Sequence, residues 1–284
     1  MPKTFLTGLT GAPIAHSAAP AMHEQAAHDL GVRCHYHLIE VEGADRDKLR
    51  ALLDGVRHLG FAGVNVTYPY KEAVVGLLDE LSPDAAAMGA VNTVVVRDNR
   101  LIGYNTDTTG FARAAAGLVA ASPRGSVALI GAGGVGKAIA FALVKLGVVE
   151  LRVFDTDRAK AENLAGLLTA HRRTVVADSV QEAAKGAVGL VNATPVGMLP
   201  SRESPVPETL LHGGLWVVDA VYYPLWTPLL LAARATGARV MTGRDLAIHQ
   251  AADAFELFIG LKPSTDVMGK AFDRVMGEEH ALRS

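Results

Sequence analysis

From residue 126 onward, the apolar positions alternate between short continuous runs and stripes at helical spacing. Val127-Ala128-Leu129-Ile130 is a run of strand length that leads straight into glycines. Lys137 to Leu146 then carries Ile139, Leu143 and Leu146 on one helical face and stops near Gly147. Leu151-Arg152-Val153-Phe154 predicts a second strand, Asp157 to Ala170 a helix, and Thr174-Val175-Val176 a third strand. Further strands are expected at Val188 to Val191, Trp216-Val217-Val218 and Arg239-Val240-Met241, with a helix from Thr227 to Thr236 opened by Thr227-Pro228. Strands that alternate with helices predict a parallel sheet covered on both faces.

The first hundred residues alternate as well. Strands are expected near Thr4 to Leu9, His35 to Val41, Gly63 to Thr67 and Ala90 to Val96. Helices are expected over Ala19 to Leu30, Asp45 to Gly60 and Lys71 to Glu80. This half has no glycine phosphate loop and reads as a separate α/β domain. Leu246 to Met276 reads as helical with no strand of its own, and is expected to pack back on the first domain. The predicted organisation is therefore a domain of residues 1–106 completed by 243–284, and a second domain of residues 107–242.

Composition narrows the function classes. At 284 residues the chain is long enough for two cores, and a net charge of -2 without a basic block argues against nucleic-acid or anionic-membrane partners. Cys34 is the only cysteine, which removes an internal disulfide and a thiolate metal cluster. The first sixteen residues lack a cationic start followed by an apolar run, and apolar stretches such as Trp226 to Ala233 fall far short of a membrane span. A cytoplasmic location is expected. No His, Cys and carboxylate grouping at ligand spacing calls for a metal.

The densest chemistry lies at Gly131-Ala132-Gly133-Gly134-Val135-Gly136. These residues satisfy G-x-G-x-x-G between a strand and a helix, with the acid Asp155 ending the next strand. Gly131 allows the tight turn, Gly133 lets a pyrophosphate approach the backbone, and Gly136 lets helix and strand pack closely. The helix N-terminus supplies free N–H groups for the pyrophosphate. The same residues nearly spell a P-loop, but Ala138 stands where a magnesium-binding Ser or Thr is required. A Rossmann-type dinucleotide domain is therefore expected. A carboxylate at Asp155 accepts from ribose hydroxyls and repels a 2′-phosphate, favouring NAD over NADP; Arg158, one turn further, softens this without reversing it.

Polar clusters stand out in the first half: Gly11 to Pro20, then Asn65-Val66-Thr67-Tyr68-Pro69-Tyr70-Lys71, Gly89-Ala90-Val91-Asn92-Thr93 and Asn105-Thr106-Asp107. With Asn192-Ala193-Thr194-Pro195-Val196-Gly197-Met198 and Gln250-Ala251, they resemble the shikimate/quinate dehydrogenase family over essentially the whole chain. The N-x-T-x-P-x-K and N-T-D elements carry most of that resemblance. Asp155 and the glycine turn resemble its NAD-preferring branch.

The resemblance implies that Lys71 and Asp107 are the catalytic pair. It implies that Asn65, Thr67, Asn92 and Gln250 bind substrate hydroxyls and that Ser17 binds the carboxylate. Tyr222 is a further candidate for substrate contact, while Thr194, Met198 and Gly243 would line the nicotinamide side. The substrate implied is a small hydroxylated cyclic carboxylate, bound in a cleft between the two domains of a monomer or homodimer.

The chemistry points the same way, because hydride leaves an alcohol carbon only as the hydroxyl proton is lost, and a lysine beside a carboxylate relays that proton. Simpler readings stand beside these roles: Lys71 as a solvated first-turn lysine, Asp107 as the cap of a helix over Thr108 to Leu118, Asn65 and Asn92 as loop-ordering residues, and Asp155 as a helix cap. Family members usually carry a second hydroxyl two residues after Ser17, where this chain has Ala19. That departure leaves open shikimate, quinate and an amino-substituted analogue. An NADP-dependent biosynthetic enzyme and a non-catalytic dinucleotide-binding regulator remain as alternatives.

Overall fold

The computed structural model describes residues 3–169 and 173–281. The chain divides into two compact units, one of Met1–Thr109 with Ile248–Ser284 and one of Gly110–Ala247.

The first unit opens with β1 (Thr4–Gly11), α1 (Ala19–Asp29), β2 (Arg33–Glu40), α2 (Arg46–His58) and β3 (Phe61–Val66). It continues with β4 (Glu80–Leu81), α3 (Pro83–Met88), β5 (Thr93–Arg97) and β6 (Arg100–Tyr104). Its sheet has the order β2-β1-β3-β5-β6-β4. β1 runs parallel to β2 and β3, whereas β5 runs antiparallel to both β3 and β6. The sheet of this α/β unit is thus mixed, turning at a hairpin the apolar pattern did not reveal. Its turn residues Asp98 and Asn99 both hold positive φ, at 50° and 59°, a conformation that Asp and Asn tolerate and two-residue hairpins require.

Leu49, Leu53 and Val56 form the buried stripe of α2, at i, i+4 and i+7, and pack with Val64, Val66 and Val94 of the sheet. Asp45 caps that helix, accepting from the Lys48 N–H at 2.8 Å.

The helix expected over Lys71 to Glu80 does not form. The segment makes turns, a single 3-10 turn over Val75–Leu77, and then β4. The Lys71 carbonyl accepts from the Val91 N–H at 2.8 Å, and Val74, Val75 and Gly76 are all weak helix formers. The short helix α3 was not expected; Ser82 caps it and Pro83 opens it, with Gly89 closing it in the left-handed conformation.

The division between the units falls inside α4 (Thr106–Ala120). The second unit then contains β7 (Ser126–Ile130), α5 (Gly134–Lys145), β8 (Glu150–Phe154), α6 (Arg158–Leu168) and β9 (Arg173–Val176). Next come α7 (Val180–Ala184), β10 (Gly189–Asn192), β11 (Trp216–Asp219), α8 (Pro228–Ala235) and β12 (Arg239–Met241). The expected end of the helix after β8, at Ala170, lies outside the described residues. Every pairing in the order β12-β11-β10-β7-β8-β9 is parallel. This is the doubly wound dinucleotide-binding arrangement, with its strand order reversing between β7 and β10.

The division recurs inside α9 (Gly243–Ile259), after which α10 (Thr265–Ala281) packs on α1. Among the described residues, no helix is long and apolar enough to cross a membrane.

α9 meets the first sheet where it has no side chain. A Cβ on Gly63 would lie 2.3 Å from the Val94 carbonyl oxygen and 2.5 Å from the Phe258 ring. Gly63→Ala is expected to destabilise the protein by about 1–3 kcal/mol, measured by urea unfolding; an unchanged midpoint would show that the ring and strand yield freely.

Candidate active site

Topology gathers polar residues of the first unit at one sheet edge. β1 and β3 end there, β5 begins there because it is antiparallel, and β6 ends there and leads into α4. Asn65 lies on β3 and Thr67 just beyond it; Asn92 precedes β5, and Asn105 separates β6 from α4.

Lys71 and Asp107 meet at this edge. Lys71 Nζ lies 2.6 Å from Asp107 Oδ2, with side-chain exposures of 11% and 8%. The reading of Lys71 as a solvated lysine therefore fails. So does the reading of Asp107 as the helix cap: α4 begins at Thr106, one turn position earlier, and Asn105 Oδ1 accepts from the Asp107 N–H at 3.2 Å. A second hydrogen bond, from Asn105 Nδ2 to the Ala90 carbonyl at 3.0 Å, ties this cap to the loop before β5. The Asp107 carboxylate stays in the first turn, where the helix dipole favours negative charge.

Asn92 ties the edge together. Its Oδ1 accepts from the Thr106 N–H at 2.7 Å and from Thr93 Oγ1 at 2.9 Å. Its Nδ2 donates to Thr106 Oγ1 at 2.9 Å and reaches Gln250 Oε1, on α9, at 3.5 Å. Asn65 Nδ2 donates to the Asn92 carbonyl at 3.2 Å and to Thr93 Oγ1 at 3.0 Å. Nearby on the same edge, the Thr67 N–H donates to the Thr10 carbonyl at 2.9 Å. Ser17 lies in the loop after β1, and its Oγ accepts from the Ala19 N–H at 3.2 Å as α1 begins.

The structure brings Lys71, Asp107, Asn65, Asn92 and Gln250 into one linked set. Tyr222 and Gly243 belong to the second unit. Tyr222 follows β11, and Gly243 opens α9 where a Cβ would lie 2.6 Å from the carbonyl oxygens of both Ala220 and Val221.

In the second unit, two glycines of the turn, Gly131 and Gly136, have distinct steric reasons. Gly131 holds φ +101°, and a Cβ there would meet Thr194 at 2.8 Å and Ala193 at 2.9 Å. On Gly136 a Cβ would lie 2.1 Å from the Gly131 carbonyl oxygen. At Gly133, which precedes α5, it would meet nothing within 4 Å, so the space beside the helix N-terminus is open. Ala132 is fully buried, and Gly134 and Val135 form the first turn of α5. The helix thus starts three residues before the expected Lys137, because a first turn built on glycine carries no apolar stripe.

Asp155 follows β8 and faces back to this turn. Its Oδ2 accepts from the Ala132 N–H at 2.7 Å and its Oδ1 from the Asp157 N–H at 2.9 Å. Asp157, not Asp155, caps α6. Arg158 is held on the surface by Asp178 and Glu162, which raise its pKa.

Beneath the loop holding Thr194 and Met198 lies a network whose central acid, Asp219, sequence reading left out. Thr194 donates to Asn192 Oδ1 from its N–H at 3.0 Å and from Oγ1 at 2.7 Å, and the Met198 N–H donates to the Pro195 carbonyl at 3.0 Å. Asn192 Nδ2 donates at 2.9 Å to Asp219 Oδ1, which also accepts from the Val221 N–H at 3.0 Å; Thr227 Oγ1 donates to Asp219 Oδ2 at 2.7 Å. The one signal for Asp219 in the sequence is its place as an acid ending the apolar strand Trp216-Val217-Val218. Thr93 and Thr106 also went unassigned, though Thr106 stands inside the Asn105-Thr106-Asp107 element. Among the described residues, no group of three His, Cys, Asp or Glu side chains could hold a metal ion.

Burial raises the Asp219 pKa to about 6, against the opposing hydrogen bonds from Thr227, Val221 and Asn192. A carboxyl whose folded pKa is raised binds its proton more tightly in the fold. Its contribution to stability is therefore full below the unfolded value and is lost as pH rises through about 6. Asp219→Asn is expected to remove a downward slope of at most about 1.4 kcal/mol per pH unit between pH ~4 and ~6. Urea unfolding of both proteins across that range is the check, and parallel pH profiles would contradict the shift.

Comparison with known proteins adds to this geometry. A family model described as the shikimate dehydrogenase substrate binding domain matches residues 9–94, and the ThiF family model matches residues 112–195. The chain is 45% identical to a quinate/shikimate dehydrogenase (NAD(+)) of Corynebacterium efficiens, over 95% of this chain and 98% of that relative. It is 42% identical to a shikimate dehydrogenase (NADP(+)) of Streptomyces avermitilis, over 92% of each. Among solved structures, the quinate dehydrogenase from Corynebacterium glutamicum in complex with NAD superposes with a TM-score of 0.86 at 41% identity, covering 95% of this chain and 99% of that one.

Proposed function

The chain belongs to the shikimate/quinate dehydrogenase family, and we propose that it reversibly oxidises a ring hydroxyl of shikimate, quinate or a close analogue with NAD. The observation that carries this reading is the buried Lys71–Asp107 pair at the polar sheet edge. In the same reading, residues 1–106 completed by 243–284 hold the substrate and residues 107–242 hold the cofactor. The enzyme works in the cytoplasm as a monomer or homodimer.

The residues present fit a dinucleotide. Open space at Gly133 and free N–H groups at the start of α5 suit a pyrophosphate. Asp155 spends one lone pair of each oxygen on the protein and keeps others for the ribose hydroxyls. Bound NAD supplies the hydride acceptor. A 2′-phosphate held beside Asp155 would be repelled by its carboxylate, and Arg158 is already shared between Asp178 and Glu162.

Loss of hydride from the alcohol carbon must be matched by loss of the hydroxyl proton. Lys71 does this work at Nζ. Once Nζ has passed a proton to Asp107, it takes up the hydroxyl proton; in reduction, the ammonium donates to the forming alkoxide and stabilises its charge. Asn65, Thr67, Asn92 and Gln250 orient the hydroxylated ring, and Ser17 donates to the carboxylate. Thr194, Met198 and Gly243 line the nicotinamide side, with Tyr222 as an additional substrate contact.

With NAD and either shikimate or quinate, the unaltered enzyme is expected to form NADH. Lys71→Ala is expected to lower kcat by about 10²–10⁴ while NADH still binds, followed by its fluorescence. Near-normal turnover in that variant would remove Lys71 from the mechanism. Replacing Asp155 by Ser or Asn is expected to raise the use of NADP relative to NAD by about tenfold or more. An unchanged ratio of kcat/KM for the two cofactors would mean that another group selects between them.

A further inference from the structure

Asn65 has almost no freedom left. Both hydrogens of Nδ2 are spent, one on the Asn92 carbonyl at 3.2 Å and one on Thr93 Oγ1 at 3.0 Å. A backbone carbonyl accepts and never donates, so the Asn92 contact sets which end of the amide is nitrogen. The other end, Oδ1, receives the phenol hydroxyl of Tyr36 at 2.8 Å. What remains open on this amide is one lone pair of Oδ1.

Tyr36 comes from β2, two strands away from Asn65 in the sheet order β2-β1-β3. Its side chain crosses β1, packing with Leu9 and Ile14. His23 of α1 stands against it, with ring centroids 4.5 Å apart. His23 is fully buried, touches Phe255 and Phe258 of α9 as well, and neither of its ring nitrogens has a hydrogen-bond partner. Burial lowers its pKa to about 3, so it is a neutral packing ring. The phenol is thus held from behind by rings and aimed at one atom.

We propose that Tyr36 is a positioning residue of the substrate site: its hydroxyl locks the Asn65 amide so that Asn65 serves a substrate hydroxyl only as an acceptor. This rests on the reading in which Asn65 binds substrate. It adds a residue that acts through the Asn65 amide, and it fixes the direction of one recognition hydrogen bond. A ring hydroxyl donating to Asn65 Oδ1 completes that oxygen's second lone pair. A substrate presenting a carbonyl or ether oxygen at the same place finds no donor, since both N–H groups face the protein.

Tyr36→Phe removes one oxygen and keeps the ring contacts with His23, Leu9 and Ile14. KM for the hydroxylated substrate is expected to rise about three- to tenfold, as for one lost hydrogen bond, with KM for NAD unchanged and kcat within about twofold. In an Asn65→Ala background, the same change is expected to leave the substrate KM where Asn65→Ala has already put it, because the effect runs through that amide. Thr93→Val, which frees the opposite end of the amide, is expected to raise the substrate KM by more than it does in the Asn65→Ala background, where only the bond to Asn92 Oδ1 is lost, and serves if Tyr36→Phe folds poorly.

An unchanged substrate KM in Tyr36→Phe overturns the proposal, as does an equal rise with and without Asn65. Absence of NADH formation by the unaltered enzyme with shikimate, quinate and amino-shikimate overturns the functional reading as well, and so is distinguishable from failure of the Tyr36 inference alone.

Discussion

Two opposite charges taken out of water must be held in one geometry, and the first unit is organised around meeting that demand at Lys71 and Asp107. Desolvation costs several kcal/mol per ion, offset only when the partners are close and their surroundings supply fixed hydrogen bonds. Here the partners are 2.6 Å apart. Asn105 caps the helix that carries the acid, while the Lys71 carbonyl is pinned by the Val91 N–H. Asn92 joins the start of β5 to the start of α4. The antiparallel β5–β6 hairpin serves the same end, because it returns the chain to the edge where β1 and β3 finish.

The second unit solves the reverse problem, that of leaving room. Gly131 and Gly136 are glycines because their surroundings leave no space for a Cβ, whereas Gly133 is glycine beside open space that a ligand can use. Asp155 serves two purposes: it steadies the turn through the Ala132 N–H and presents the remaining lone pairs outward. Below the loop holding Thr194 and Met198, Asp219 collects three hydrogen bonds and fixes Asn192, which in turn fixes Thr194. A carboxyl that is buried this fully and sits close to its pKa at mildly acid pH couples the stability of this unit to protonation.

Much of the fold is legible in the sequence. The sheet of the second unit follows from an alternation of apolar runs and stripes, and its glycine turn from spacing alone. Lys71, Asp107, Asn65 and Asn92 stand out as polar groups in apolar surroundings. Local pattern failed where backbone partners come from far along the chain. The segment after Lys71 looked helical until its carbonyl was claimed by Val91, twenty residues on. The first turn of α5 was invisible because glycines carry no periodicity. Tyr36 carried no chemical signal at all, being an aromatic residue in a strand, which is ordinary for core packing.

The sequence by itself determined the α/β class, the glycine turn between strand and helix, the acid that ends the next strand, and which residue types stand at the polar end of the first sheet. These are properties of neighbouring residues and of spacing, which a chain carries locally. Only the tertiary structure decided that Lys71 pairs with Asp107 across thirty-six residues, that β5 runs against β3, and that the Asn65 amide is oriented by Asn92 and Tyr36. Those are pairings between distant segments, and hydrogen-bond direction is set by which donor or acceptor the fold brings to each atom.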